Sequence, residues 1–245
     1  MSKIKTVSIV GAGPGDYELL TLKALRLIKE AEAVVYDRLI SEEILAMIPD
    51  NAEKYFAGKF CKNHVMTQDE INELIVKLAQ DGLKVVRLKG GDPFIFGRGG
   101  EEAEFLASHN IPFEIIPGIS AASGCSSHYN IPLTYRGIAT SVRYITGHCK
   151  EPELAFDWKS LADEQTTLVI YMGLANLVII TKKLIENGLP EDFPLAIIEN
   201  GTNQDGRIII SNLVNAVSDA KENNLAPPTL IIIGKVVSLY KTLAI

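Results

Sequence analysis

Hydrophobic positions along the chain follow two periodicities that alternate from one end to the other. Near the N-terminus, an apolar run predicts a buried strand formed by Ile4, Val7, Ile9 and Val10. Apolar residues then recur at helical spacing, at Leu20, Ala24, Leu27, Ile28 and Ala31. Because this order repeats along the chain, we predict an α/β fold with mainly parallel strands in the first half.

A helix beginning at Thr67 is the clearest single element of the sequence. Thr67 and Glu70 form a capping box, and Gly82 supplies the stop signal. Its apolar face consists of Ile71, Leu74, Ile75 and Leu78. The strand that follows, KVVRL, leads into a second glycine-rich loop.

The composition changes between residues 112 and 137, where three prolines and many small residues occur. We therefore predict a domain boundary close to Pro117, with one α/β domain over residues 1–116 and a second over residues 117–245. In the second domain the pattern predicts strands at Val142–Thr146, Thr167–Tyr171, Leu195–Ile198, Arg207–Ile210 and Thr229–Ile233, with helices near Leu174–Asn187 and Asn212–Asn223.

The first glycine-rich loop, GAGPGD, poses the question of which cofactor the chain binds. Its glycines and the acid at Asp37 are compatible with an NAD-dependent oxidoreductase. Two residues argue against that class. Pro14 removes an N–H from the phosphate cradle, and Asp16 places a negative charge where a pyrophosphate needs a positive helix end.

Composition narrows the remaining classes of protein. With 245 residues, 47% hydrophobic and 22% charged, the chain can bury one large or two modest cores. It shows no membrane-length apolar segment and no leader pattern, so we expect a cytoplasmic protein. The 24 basic and 30 acidic residues give a net charge of −6, which disfavours nucleic acid and anionic membranes as partners. The cysteines and histidines show no ligand-like spacing, so no metal is expected.

Several loop motifs occur together in a distinctive order, and each of the first four follows an apolar strand. They read GAGPGD at 11–16, GKFCKNH at 58–64, KGGDPFIFGRGGEE at 89–102, PGISAASGC at 117–125, YMG at 171–173, NGT at 200–202 and PPTLIIIGKVV at 227–237. In this order, and over essentially the whole chain, they resemble the tetrapyrrole methylases. Within that family, the motifs are most similar to those of enzymes that methylate uroporphyrinogen III.

The resemblance implies a fold of two α/β domains with S-adenosyl-L-methionine in a cleft between them. This cofactor has a sulfonium cation and no phosphate, which explains Pro14 and Asp16 in the first loop. The implied cofactor contacts are Pro14, Gly90, Gly91, Asp92, Ile95, Ser120, Ala121, Met172 and Gly201. From the residues alone, the glycines could equally serve turns, and Ile95 and Met172 could be core residues.

The resemblance also implies a catalytic pair, Asp37 and Lys59. As a carboxylate base and an ammonium acid, they would handle the proton that the macrocycle sheds after methylation. Without the family, Asp37 could be a helix N-cap or a partner for Arg38, and Lys59 a solvated loop residue. Arg38 and Arg136 are the first candidates for binding the eight substrate carboxylates, because guanidinium groups pair with carboxylates bidentately.

The activity implied by the resemblance is C-methylation of uroporphyrinogen III at C-2 and C-7. The product would be precorrin-2, formed through precorrin-1 on the route to sirohaem and cobalamin, and we expect the reaction to stop there. The family also implies a homodimer, and S-adenosyl-L-homocysteine as the second product. Three alternatives are open: a methylase of a later precorrin intermediate, an NAD-dependent oxidoreductase, and an inert tetrapyrrole carrier.

Overall fold

A computed structural model describes residues 4–58, 66–148 and 156–243 of the chain. The chain forms two compact units, Met1–Ser120 and Ala121–Ile245. None of the described helices is both long enough and apolar enough to span a membrane.

The first unit is built on a parallel sheet of five strands. In chain order they are β1 (Val7–Gly11), β2 (Ala33–Tyr36), β3 (Glu53–Phe56), β4 (Val85–Lys89) and β5 (Phe113–Ile116). They lie side by side in the order β3-β2-β4-β1-β5. The described helices of this unit are α1 (Leu22–Glu30), α2 (Glu42–Leu45), α3 (Gln68–Gln80) and α4 (Gly99–Ser108).

Hydrophobic cores cover both faces of this sheet. Alternate residues of a strand point to opposite faces, so Val7 and Ile9 join one apolar cluster while Val10 joins another. Strands β1 and β4 are buried at every position because each has a strand on both sides. The prediction that Ile4 belongs to the first strand is wrong: the strand begins at Val7, and Ile4 is 43% exposed.

The helix predicted from Thr67 is confirmed as α3. Thr67 accepts a hydrogen bond from the Glu70 N–H, and the Glu70 carboxylate accepts one from the Thr67 N–H at 2.6 Å. The capping box is therefore reciprocal, and it satisfies two N–H groups that the first turn would otherwise leave unpaired. Its predicted face is also buried at Ile71, Ile75 and Leu78.

The second unit contains a mixed sheet of five strands. They are β6 (Ser141–Thr146), β7 (Thr166–Tyr171), β8 (Pro194–Glu199), β9 (Arg207–Asn212) and β10 (Thr229–Ile233), ordered β6-β7-β10-β8-β9. Only β6 and β7 pair in parallel, and the other neighbours are antiparallel. Its described helices are α5 (Ala121–His128), α6 (Trp158–Leu161), α7 (Leu177–Glu186), α8 (Ala216–Glu222) and α9 (Tyr240–Leu243).

Every strand predicted in the second domain is present, while the two predicted helices start later than expected. The first is preceded by a 3-10 turn, and only the segment from Leu177 is α-helical. The second begins at Ala216, because Asn212 still pairs with Pro194 as part of β9. Strand pairing therefore places Asn212 in β9, although the helical periodicity had assigned it to a helix.

Candidate active site

Three glycine-bearing loops meet at the carboxyl edge of the first sheet. They follow the neighbouring strands β4, β1 and β5, and their backbones touch at Gly91, Gly11 and Gly118. A Cβ on Gly118 would lie 2.2 Å from the Gly91 carbonyl oxygen, and one on Gly11 would lie 2.5 Å from the Gly118 nitrogen. Gly11 and Gly118 are required because no side chain fits between the three segments. This edge is where ligands bind in open α/β sheets.

The Asp92 carboxylate holds two of these loops in place. Its Oδ1 accepts the Phe94 N–H at 2.9 Å, and its Oδ2 accepts the Gly118 N–H at 3.1 Å. A carboxylate oxygen can accept more than one hydrogen bond, so this structural role leaves acceptor capacity for a ligand. Beside Asp92, the predicted contact residues Gly90, Gly91 and Ile95 are all half-buried.

The GAGPGD loop does not lead directly into a long helix. Asp16 caps a 3-10 turn, Tyr17–Leu19, by accepting the Glu18 N–H at 2.9 Å. Helix α1 starts beyond this turn and has its own N-cap, Thr21, which accepts the Ala24 N–H at 3.1 Å. These glycines therefore lie between a strand and a 3-10 turn and not at the start of a long helix. Without a helix N-terminus at the glycines, the loop lacks the main feature of a phosphate site.

Asp37 follows β2 at the same edge of the sheet. Its Oδ1 accepts a hydrogen bond from Arg87 Nη2 at 2.6 Å, and its Oδ2 lies 3.8 Å from Lys89 Nζ. The two structural alternatives for Asp37 are not what the structure shows: the N-cap of α2 is Ser41, and the partner is Arg87 rather than Arg38. Arg87 is buried and the Asp37 side chain is 29% exposed, so Asp37 is held on its buried side and remains accessible to solvent.

Arg87 and Lys89 are buried beneath Asp37, although they lie within an apolar strand. Both bind Glu102 Oε1, from Arg87 Nε at 3.0 Å and from Lys89 Nζ at 2.9 Å. Burial alone would lower the pKa of the Arg87 guanidinium, but Asp37 and Glu102 outweigh it and raise that pKa. The pKa of Lys89 is lowered, mainly by burial and then by the neighbouring Arg87 charge.

These three charged residues were not among the predicted site residues. A sequence signal existed, because Arg87 and Lys89 occur two positions apart in the run VVRLK and hence on one face of a strand. Glu102 closes the motif GRGGEE. Charges inside an otherwise buried strand are rare unless they are paired, so the pattern was informative.

In the second unit, predicted contact residues follow strands that run in the same direction. Met172 follows β7 and Gly201 follows β8, and both strands are antiparallel to β10 between them. Met172 is half-exposed with φ of 55°, so the alternative that it is a core residue is wrong. A Cβ on Gly201 would lie 2.4 Å from Cys125 Sγ, which explains the glycine by close packing on α5.

The remaining predicted residues are dispersed among loops. Pro14, Ser120 and Ala121 are half-buried, and Ala121 begins α5. Arg38 and Arg136 are exposed, the latter in a turn closed by Tyr135 and Ala139. Lys59 lies outside the described residues, so its role stays a prediction.

Comparison with known proteins identifies relatives over nearly the whole chain. Residues 6–216 match the family Tetrapyrrole (Corrin/Porphyrin) Methylases. The siroheme synthase of Nitrosospira multiformis is 50% identical over 97% of this chain and 50% of its own length. That of Acinetobacter baylyi is 52% identical, over 97% of this chain and 52% of its own length.

A solved structure supports the same family. It is the uroporphyrin-III C-methyl transferase of Thermus thermophilus complexed with S-adenyl homocysteine, 38% identical with a TM-score of 0.81. The match covers 96% of this chain and 94% of that one, whereas the chain spans about half the length of the siroheme synthases. These findings confirm the predicted family and fold, and they do not favour the oxidoreductase alternative. The chain belongs to the tetrapyrrole methylases.

Proposed function

We propose that this chain transfers methyl groups from S-adenosyl-L-methionine to C-2 and C-7 of uroporphyrinogen III, giving precorrin-2 through precorrin-1. The observation that carries the proposal is the likeness to a uroporphyrin-III C-methyl transferase whose structure contains S-adenyl homocysteine. The siroheme synthases are similar along about half of their length, so the proposal covers methylation alone.

The residues at the sheet edges suit this cofactor. Pro14 lacks an N–H and the glycines of the first loop lead into no long helix, which disfavours a phosphate and leaves room for a sulfonium cation. Met172 offers an exposed, polarizable thioether. We assign cofactor contacts to Pro14, Gly90, Gly91, Asp92, Ile95, Ser120, Ala121, Met172 and Gly201.

Asp37 is the proposed base of the reaction. Bound S-adenosyl-L-methionine supplies an electrophilic methyl group, and a macrocycle carbon that accepts it must then lose a proton as its double bonds rearrange. Asp37 is held by Arg87 at one oxygen and is partly open to solvent, so it can take that proton. Lys59 is proposed as the accompanying acid. Arg38 and Arg136 are exposed and suited to pairing with substrate carboxylates.

The direct test is incubation with uroporphyrinogen III and methyl-labelled S-adenosyl-L-methionine, with the product analysed by mass. Two labelled methyl groups per macrocycle are expected. S-adenosyl-L-homocysteine should raise the melting temperature, and NAD should not, because only a bound ligand stabilises the folded state. Stabilisation by NAD alone, or failure of uroporphyrinogen III to gain methyl groups, would refute the proposal.

Asp37→Asn tests the assigned base. The variant keeps the shape of the side chain and loses its proton affinity, so kcat should fall by about a hundredfold or more while S-adenosyl-L-homocysteine affinity is kept. Asp50→Asn is a matched control on an exposed aspartate of the same unit and should turn over normally. Normal turnover by a folded Asp37→Asn variant would remove Asp37 from the mechanism.

We also propose a cytoplasmic homodimer, as the family resemblance implies. Sedimentation at micromolar concentration should give about twice the chain mass of 26.8 kDa. A monomer under those conditions would contradict this part of the proposal.

A further inference from the structure

Beneath Asp37 lies a buried group of charges that the proposed reaction does not itself require. It consists of Arg87, Lys89 and Glu102, which we call the charge triad. We propose that Glu102 and Lys89 are positioning residues that act through Arg87 to hold the Asp37 carboxylate in its working orientation. The inference rests on the proposed role of Asp37 as the base.

The geometry of Arg87 links the two carboxylates. Its Nε binds Glu102 Oε1 at 3.0 Å, and its Nη2 binds Asp37 Oδ1 at 2.6 Å. Its Nη1 donates to the carbonyl oxygens of Val35 at 3.3 Å and Leu88 at 3.2 Å. A guanidinium is planar and rigid, so fixing Nε and Nη1 also fixes the direction of Nη2. The position of Asp37 Oδ1 therefore depends on Glu102, which binds the opposite side of the same guanidinium group.

Lys89 completes the arrangement from the same strand. Its Nζ binds Glu102 Oε1 at 2.9 Å and lies 3.8 Å from Asp37 Oδ2, beyond hydrogen-bonding distance. Within the described part of the chain, Asp37 is thus bound at Oδ1 and keeps acceptor capacity at Oδ2. That is the arrangement a base requires, because one oxygen fixes the orientation and the other can receive the proton.

Burial indicates that the triad serves more than stability. Arg87 and Lys89 are each 2% exposed and Glu102 is 1% exposed, so all three charges have lost most of their hydration. Among the described residues, Glu102 Oε2 has no hydrogen-bond partner, while Oε1 receives three donors, the third being Gln68 Nε2 at 3.2 Å. Buried ion pairs often stabilise a fold less than apolar side chains of similar size. Holding the partly exposed Asp37 carboxylate in a fixed orientation is a role that offsets this cost.

A double-mutant cycle on stability tests the physical link without using activity. Glu102→Gln, Asp37→Asn and the double variant are unfolded in urea. Since both carboxylates bind one guanidinium, their effects on the unfolding equilibrium constant should depart from multiplicativity by at least about fivefold. Glu101→Gln, an exposed neighbour that pairs with Arg98, should combine with Asp37→Asn multiplicatively. If the effects of Glu102→Gln and Asp37→Asn on the unfolding equilibrium constant simply multiply, the inference is overturned.

Kinetics then test the consequence for catalysis. Glu102→Gln should lower kcat at least about tenfold with both KM values within about twofold, since Glu102 is only 1% exposed. Glu102→Asp, which keeps the charge, should recover part of kcat. If Glu102→Gln fails to fold, Lys89→Gln replaces it in both the cycle and the kinetics. Unchanged kcat in a folded triad variant would refute positioning. Lack of methyl transfer by the wild-type protein would instead refute the proposed function, and the stability cycle would still decide the link.

Discussion

The contact among three glycine loops in the first unit makes Gly118→Ala a sharp test of the site architecture. The new Cβ would lie 2.2 Å from the Gly91 carbonyl oxygen and 2.8 Å from Gly11 backbone atoms. Each of these neighbours is backbone, so neither can move aside by changing a rotamer. The loops after β1, β4 and β5 must therefore separate by more than about 1 Å to reach normal contact distances.

The expected cost follows from two contributions. Overpacking against backbone costs about 1–3 kcal/mol. Displacing Gly118 also weakens its N–H bond to Asp92 Oδ2, and hydrogen bonds to charged groups contribute about 1.5–3 kcal/mol. Together these give roughly 2.5–6 kcal/mol, which corresponds to a fall in melting temperature of roughly 5–24 °C for a chain of this size.

The assay is thermal and urea unfolding of Gly118→Ala beside a matched control, Gly100→Ala. A Cβ on Gly100 meets nothing within 4 Å, and this residue lies in α4. Alanine there should stabilise the helix by about 0.5–1 kcal/mol, so the two substitutions should have opposite signs. S-adenosyl-L-homocysteine affinity should fall for Gly118→Ala only. A melting temperature equal to the wild type would refute the close approach of the loops.

Two further predictions concern the second unit. Burial raises the pKa of Cys125 to about 12 from 9.0, so at pH 9 its alkylation should be at least about a hundredfold slower in the native protein than in urea, as followed by mass mapping. The thiol of the unfolded chain ionises at lower pH than the native thiol, so the contribution of Cys125 to the free energy of unfolding is lost as pH rises from 9 towards 12. Equal alkylation rates in the native and unfolded protein would contradict the burial of Cys125. Arg136→Ala should weaken the salt dependence of KM for uroporphyrinogen III, whereas Lys182→Ala, at an exposed position of α7, should not. Equal salt dependence in wild type and Arg136→Ala would exclude Arg136 from substrate binding.

Local interactions explain what could be predicted from the sequence by itself. Helix α3 was predictable because its capping box joins residues three apart, and β10 because an isoleucine run between turns is strongly strand-forming. The family and the loops that follow the strands were also predictable, since their motifs are contiguous and occur in a fixed order. These features need no knowledge of which strand lies beside which.

Weaker local patterns left the bounds of two strands undefined where tertiary contacts supply the stability. Apolar strands were predicted before the loops at 58–64 and 117–125, but the bounds of β3 and β5 were not predicted. They form the two edges of the first sheet, and β3 is exposed at Glu53 and Lys54. An edge strand is covered less completely, so it can contain polar residues, and the alternation of apolar and polar positions that predicts a strand is weak.

The charge triad and the orientation of Asp37 were decided by the tertiary structure alone. Arg87 meets Asp37, fifty positions earlier in the chain, only because β2 and β4 are neighbours with Val35 opposite Arg87. Shifting that register by one residue would turn Arg87 to the other face of the sheet and away from Asp37. Sequence proposes which residues carry the chemistry, whereas sheet order and register determine which of their charges meet, because those contacts join segments that are distant along the chain.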